Sequence, residues 1–197
     1  MPRFSPATQA WLDGAFDAPT AAQVGAWDAV ARREHTLVVA PTGSGKTLAA
    51  FLSALDRLAA EPVPAEPLKR CRVLYVSPLK ALAVDVERNL RAPLAGIRQA
   101  ASRLDLPQPD ITVGMRSGDT PADERRLFNR RPPDILITTP ESLFLLLTSA
   151  ARESLRSVDT VMSGGVRPSL VAAWPMPTNG ERRLRSTSTA RAFIGET

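Results

Sequence analysis

Eight consecutive residues constrain this chain more than any others: Ala40-Pro41-Thr42-Gly43-Ser44-Gly45-Lys46-Thr47. The β-branched, apolar run Thr36-Leu37-Val38-Val39 precedes them, and Leu48, Phe51, Leu52 and Leu55 follow at helical spacing. The loop therefore lies at a strand-to-helix junction, the place where a phosphate can be held. Small residues at 43 to 45 let the backbone curl so that its N–H groups point inward, and the helix dipole adds positive character at the same spot. Lys46 is expected to reach the outer phosphates, and the Thr47 hydroxyl is placed to ligate magnesium. Ala40 stands where the general pattern of such loops has a glycine.

Four further strands are expected, over 72–77, 111–115, 134–138 and from Ser157 to Met162. Helices are expected between them. Ser5-Pro6 and Thr20 open two before the loop; one begins near Leu79 and continues, with a break at Pro93, to about residue 103; one covers 122–129 behind Thr120-Pro121; another follows Thr139-Pro140. Its run Leu143-Phe144-Leu145-Leu146-Leu147 is expected to pack in the core. Strands alternating with helices imply parallel pairing with right-handed crossovers, so the fold class is α/β: a parallel sheet with flanking helices. In such a sheet the turns at strand carboxyl ends share one edge, and that edge carries the glycine loop, Ser77-Pro78, Arg116-Ser117 and Thr139-Pro140.

Composition narrows the class. At 197 residues the chain suits one domain with a real core, and no apolar run reaches the ~18 residues of a membrane span. Without a signal segment in Met1-Pro2-Arg3-Phe4-Ser5, a cytoplasmic location away from any membrane is expected. Cys71 is the sole cysteine, which excludes a disulfide framework or zinc cluster, and it reads as a core residue. His35, the sole histidine, reads as an exposed loop residue, and Trp11 and Trp27 as packing. The net charge of +5 rests on 22 arginines against three lysines, Lys46, Lys69 and Lys80. That balance suits a polyanionic partner, although basic residues alone more often form a solvated face.

With these turns placed, the chain resembles the first RecA-like domain of a superfamily 2 DEAD/DEAH-box helicase, and within that group the large helicase-related (Lhr-type) family. Pro19-Thr20-x-x-Gln23 matches the Q motif, APTGSGKT at 40–47 motif I, SPLKAL at 77–82 motif Ia, and TTPESL at 138–143 motif Ib; RSGDT at 116–120 resembles a further family turn. The resemblance covers residues 4 to 162. It implies ATP and Mg2+ as cofactors, with Thr20 and Gln23 at the adenine and Thr42, Gly43, Ser44, Gly45, Lys46 and Thr47 at the phosphates. Lys46 and Thr47 carry the catalytic role, and Thr47 the magnesium. It further implies that a nucleic-acid backbone, from a single strand or duplex end, runs over Ser77, Pro78, Leu79, Lys80, Arg116, Gly118, Thr139, Pro140 and Glu141. Locally, Thr139 caps a helix whose free N–H groups can meet a phosphate, with the charge of Lys80 nearby.

The departure is equally specific. After Val161-Met162 the family runs into an acidic pair, Asp-Glu-x-His, that holds magnesium and orients water; here the sequence reads Ser163-Gly164-Gly165-Val166-Arg167-Pro168. Only Glu181 and Glu196 are acidic beyond Met162, and Ser188-Thr189-Ala190 resembles the family's motif III only by coincidence. The expected organisation is therefore N-terminal helices with the Q motif over 1–35, a partial RecA-like domain over 36–162, and a non-family tail over 163–197 that is disordered or loosely attached. A frameshifted or truncated gene end is the expected origin of that tail. Intact relatives need a second RecA-like domain in the same chain, so this chain is expected to bind ATP and nucleic acid without being an active helicase alone. A sheet stopped at its fifth strand is also expected to expose an edge and favour aggregation. Two other classes fit less of the pattern: a non-catalytic single-strand-binding module, and another P-loop NTPase such as a small kinase.

Overall fold

Alternation along four-residue strands sends apolar side chains to both faces of one sheet, an arrangement that is stable only between two helical layers. The computed structural model describes residues 4–41, 43–164 and, as backbone, 190–195. The elements are α1 (Pro6–Ala15), α2 (Ala21–Ala31), β1 (Thr36–Val39), α3 (Lys46–Ala60), β2 (Val73–Val76), α4 (Lys80–Arg103), β3 (Val113–Arg116), α5 (Ala122–Arg130), β4 (Ile135–Thr138), α6 (Pro140–Leu147), β5 (Thr160–Gly164) and β6 (Ala190–Gly195). The strands lie in the order β1-β6-β5-β2-β4-β3, and every neighbouring pair is parallel.

One face of the sheet presents Val73, Tyr75, Ile135, Ile137 and Met162 to Trp27, Phe51, Leu55, Leu90 and Ile97 from α2, α3 and α4. The other presents Leu74 and Leu136 to Phe128 and Leu146 from α5 and α6, with Cys71 beside them. Each large aliphatic side chain buried this way contributes about 1.5–3 kcal/mol, so the two layers and the sheet stand together. Trp27 is fully buried, with Phe4 edge-on at 5.1 Å; Trp11 packs partly buried against the same cluster, and His35 is exposed.

The helix starts follow their sequence signals. Ser5 accepts from the Thr8 amide at the head of α1, with Pro6 in the first turn. Thr20 and Gln23 form a reciprocal capping box on α2, and Thr139 accepts from the Ser142 amide on α6. Thr120 instead accepts from the Ser117 amide within its turn, and α5 begins without a side-chain cap.

Four expectations differ. Helix α4 ends at Arg103, as expected, but does not break at Pro93, which is buried in its middle. The missing N–H leaves the Asn89 carbonyl without its intrahelical donor, but packing of Val86, Leu90, Ile97 and Ala101 on the sheet holds the helix on either side. The apolar run of α6 is only partly core: Leu146 is fully buried, whereas Phe144, Leu145 and Leu147 are 66%, 55% and 53% exposed. An eight-residue helix lying flat on a sheet has one inward face, and its outer face here is uncovered. Strands β3 and β5 start later than expected and run one or two residues further, to Arg116 and Gly164. Finally, the sheet does not stop at five strands. Within the segment expected to be disordered or loosely attached, Ser163 and Gly164 complete β5, and Ala190–Gly195 forms a sixth strand between β1 and β5. The rest of that segment lies outside the described residues.

At the amino ends of the strands a network of charges is packed. Asp134, fully buried, accepts from Arg70 Nε at 2.9 Å, Arg72 Nη2 at 3.0 Å, and both the amide and hydroxyl of Thr112 at 2.8 Å. Arg57 grips Asp159 with two bonds of 2.7 and 2.6 Å, and Arg72 reaches Glu61 at 2.8 Å. This end of the sheet is tied shut, which leaves the carboxyl ends for binding.

Candidate nucleotide and nucleic-acid site

Because all strands are parallel, the turns after β1, β2, β3 and β4 come to one edge, as their placement in the sequence predicts. The glycine loop forms the corner of that edge. Val38 anchors it from below, wedged between Ala26 of α2 and Ala49 of α3. Gly43 and Gly45 turn the chain with φ of 82° and 77°, in the left-handed region where a side chain is strained. At Gly45 there is a second reason for glycine: an added Cβ would come within 2.5 Å of Gln23 Nε2. Gly45 is also the N-cap of α3 and offers no side chain to its first amides. Those N–H groups stay available at the positive end of the helix dipole.

The side chains of the loop are arranged differently from the sequence expectation. Lys46 Nζ donates to the carbonyls of Ala40 and, at 2.9 Å, Pro41, so it folds back across its own loop. Ser44 Oγ is buried without a hydrogen-bond partner. Thr42 lies outside the described residues. The Q-motif pair closes the loop from the α2 side: Thr20 Oγ1 donates to the Ser44 carbonyl and Gln23 Nε2 to the Gly45 carbonyl, each at 3.4 Å, while Gln23 Oε1 accepts from the Thr20 amide at 2.9 Å. Both ends of the Gln23 amide are thus engaged.

A cleft of about 490 Å³ opens beside the loop, between it, α1 and α4. Gly43, Gly45, Lys46 and Thr47 form one wall; Trp11, Phe16, Asn89 and Pro93 contribute to the rest. Trp11 and Phe16 meet edge to face at 5.9 Å, and Phe16 is 46% exposed. The sequence reading assigned these four no part in a site. The available signal was Phe16, a large apolar residue stranded in the polar turn between Gly14 and Pro19.

Along the rest of the edge three turns are stitched together. The Ser77 amide donates to the Thr138 carbonyl at 2.8 Å, and Thr138 Oγ1 donates to the Arg116 carbonyl at 2.8 Å. Lys80 Nζ reaches Asp119 Oδ2 at 2.6 Å, and this pair holds the Asp119 carboxyl below its usual range. Pro78, Leu79, Lys80, Gly118, Pro140 and Glu141 are exposed, whereas Ser77 and Thr139 are buried. Arg116 is not a surface cation. Its guanidinium lies over the Phe128 ring at 5.2 Å and donates to Asn129 at 3.2 Å, and burial, then Arg125, pushes its pKa down. A cation that close to the edge in sequence is turned into the second core by the alternation of β3.

The residues present fit a nucleotide better than a metal. Two left-handed glycines, uncapped helix amides and an orphaned buried hydroxyl form a cradle that wants an acceptor-rich ligand. For magnesium there is the Thr47 hydroxyl, but among the described residues no cluster of three or more His, Cys, Asp or Glu could hold an ion. Where the family's acidic pair is expected, β5 ends in Ser163 and Gly164, and the Tyr75 hydroxyl occupies the place of a Cβ on Gly164.

Comparison with known proteins agrees with this geometry. The family model described as DEAD/DEAH box helicase matches residues 20–162. A Lhr helicase of Mycolicibacterium smegmatis is 65% identical over 160 residues, and the Lhr helicase/uracil glycosylase of Escherichia coli is 57% identical over 163. Each match covers 81% of this chain but only 10% and 11% of the relative, so the chain spans about a tenth of their length. Among solved structures, Mycobacterium smegmatis helicase Lhr bound to ssDNA and AMP-PNP superposes with a TM-score of 0.81 and 51% identity, covering 99% of this chain and 25% of that one. The sheet is thus a RecA-like one, and the chain belongs to the DEAD/DEAH box helicase family, on its Lhr-type branch.

Proposed function

We propose that this chain binds ATP in the loop at 40–47 and a nucleic-acid strand along the edge formed by the turns after β2, β3 and β4, as the first motor domain of an ATP-dependent helicase. The observation that carries the reading is the cradle itself: Gly43 and Gly45 in left-handed backbone, with the Ser44 hydroxyl unpartnered and no side chain capping the first amides of α3, beside an open cleft. Bound ATP supplies a phosphoanhydride whose charge these donors neutralise. Lys46 would leave two backbone carbonyls for a phosphate, exchanging neutral acceptors for a charged one. The Trp11 and Phe16 faces and the apolar wall around Pro93 suit a base, and Gln23, which the family uses for adenine, would have to release the Gly45 carbonyl to meet it.

Magnesium would have Thr47 alone from the described residues, so it would arrive with the nucleotide and be held weakly. Hydrolysis needs an acidic pair that β5 does not present, and movement along a strand needs a second RecA-like domain. Binding of nucleotide and strand is therefore the part of that motor cycle that the described residues support. Lys80, Gly118, Pro140 and Glu141 offer the exposed positions for a sugar-phosphate backbone, with Ser77 and Thr139 fixing the turns beneath them. The resemblance to a helicase solved with ssDNA and AMP-PNP supports both ligands.

Titration with a fluorescent ATP analogue tests the nucleotide half. Lys46→Ala removes a charge-assisted contact of about 1.5–3 kcal/mol, so affinity should fall by roughly tenfold or more. Unchanged affinity would remove the assignment. A strand-binding assay with and without nucleotide separates the motor-domain reading from a plain single-strand-binding module, whose affinity would ignore ATP.

A further inference from the structure

Strand β1 carries the phosphate loop, yet its only ladder partner among the described residues is β6. Thr36, Leu37, Val38 and Val39 pair with Ala192, Phe193, Ile194 and Gly195. β6 pairs in turn with β5, from Thr160 opposite Ala190 to Gly164 opposite Ile194. Every backbone connection from β1 to the rest of the sheet therefore passes through six residues beyond the end of the family match at residue 162. Besides this ladder, β1 is held by the packing of α2 and α3 on one of its residues. Val38 is buried against two alanines, while Leu37 and Val39 are 46% and 44% exposed.

We propose that Ala190–Gly195 is a positioning segment for the nucleotide site: by joining β1 to β5 it fixes the strand from which the loop at 40–47 springs. The register makes the coupling direct, since Val39, the last strand residue before the loop, lies opposite Gly195. When the segment leaves the sheet, β1 loses its whole ladder, and the cradle loses the fixed floor that its amides need. Nucleotide binding and docking of the segment then stabilise one another by mass action. The nucleotide part of this inference rests on the function proposed above; the anchoring of β1 does not.

Hydrogen–deuterium exchange on the unaltered protein tests the anchoring. If the segment holds β1, amides of 36–39 and 190–195 open together with the same protection, and AMP-PNP slows both. Firm protection of 36–39 beside free exchange of 190–195 would overturn the proposal, with or without nucleotide. Proline variants test the consequence. In a parallel ladder successive N–H groups of a central strand point to opposite neighbours, so Ala192→Pro and Phe193→Pro break one bond on each side. Each should speed exchange at 36–39 and weaken AMP-PNP binding by about tenfold, the loss expected if the competent state falls to a tenth of the population. Far-UV dichroism and retained single-strand binding identify variants that stay folded, and unchanged exchange at 36–39 in such a variant also overturns the proposal. Failure of the unaltered protein to bind AMP-PNP would instead defeat the nucleotide reading, while the exchange comparison still decides the anchoring.

Discussion

Gln23 donates its side-chain N–H to the carbonyl of Gly45 at 3.4 Å, and the same nitrogen lies 2.5 Å from where a Cβ on Gly45 would stand. The glutamine and the absent side chain are therefore one fitted pair. Gly45→Ala should cost about 1–2 kcal/mol from the left-handed backbone alone, and more from the collision with Gln23. Gly43→Ala, at the similar φ of 82° but with nothing within 4 Å, should cost the backbone strain only. Thermal unfolding of the two variants measures the difference, and adding Gln23→Ala to Gly45→Ala should recover the steric part. Equal melting losses at both glycines would show that the pair is not in contact.

Asp134 is the second place where one residue carries several partners. Fully buried, it accepts from two arginines and twice from Thr112. Asp134→Asn keeps the volume but leaves Arg70 and Arg72 facing a neutral amide with donors of its own. Breaking a buried ion pair from one side costs about 3–5 kcal/mol, so the urea midpoint should fall sharply while the loop at 40–47, at the opposite end of the strands, keeps its geometry. An unchanged midpoint would mean that water already shares this end of the sheet.

Much of this molecule is legible in its sequence because short strands and capped helices are local events. Thr20 with Gln23, Ser5 with Pro6, and the valines and isoleucines of β2 and β4 each fix an element within a few residues, and parallel pairing then places the turns on one edge. What was not legible depends on distant neighbours. Pro93 continues a helix because the sheet holds both flanks, and Arg116 turns inward because Phe128 lies across from β3. The outer leucines of α6 stay exposed because no described element covers them. Likewise β6 follows a sequence without a helix-and-strand rhythm, and only the open hydrogen bonds of β1 and β5 make a strand of it. The cleft beside the loop escaped for the same reason, since Trp11 and Asn89 are far apart in sequence and meet only through the packing of α1 on α4.

The Lys80–Asp119 contact bears on strand binding. At 2.6 Å the carboxylate occupies the ammonium that, in the proposed function, a phosphate would take, on a surface where both side chains are exposed. Asp119→Asn frees the cation and removes a repelling charge, so single-strand affinity should rise by about two- to fivefold at low salt, with the gain shrinking as salt is added. Lys80→Ala should lower affinity and flatten the salt dependence by about one phosphate contact. Equal affinity for all three proteins across a salt series would place the strand elsewhere.

Stability at high pH follows from two buried groups. Burial pushes the Cys71 thiol from 9.0 up to about 12, and the Tyr75 hydroxyl from 10.0 up to about 12. Both are raised, so the folded protein keeps protons that the unfolded chain gives up. Their contribution is complete below pH 9 and is lost as pH rises toward 12, because over that window the unfolded state binds fewer protons than the folded one. The melting temperature should therefore hold steady from pH 7 to 9 and fall progressively above it. Cys71→Ala should remove part of that alkaline slope, and Tyr75→Phe a further part with its onset about one pH step later, as the ordinary values of 9.0 and 10.0 require. The thiol of the folded protein should also resist a disulfide reagent at pH 8 and react only in denaturant. Rapid labelling under native conditions would mean that the second core opens readily, and the alkaline slope would then have to come from elsewhere in the chain.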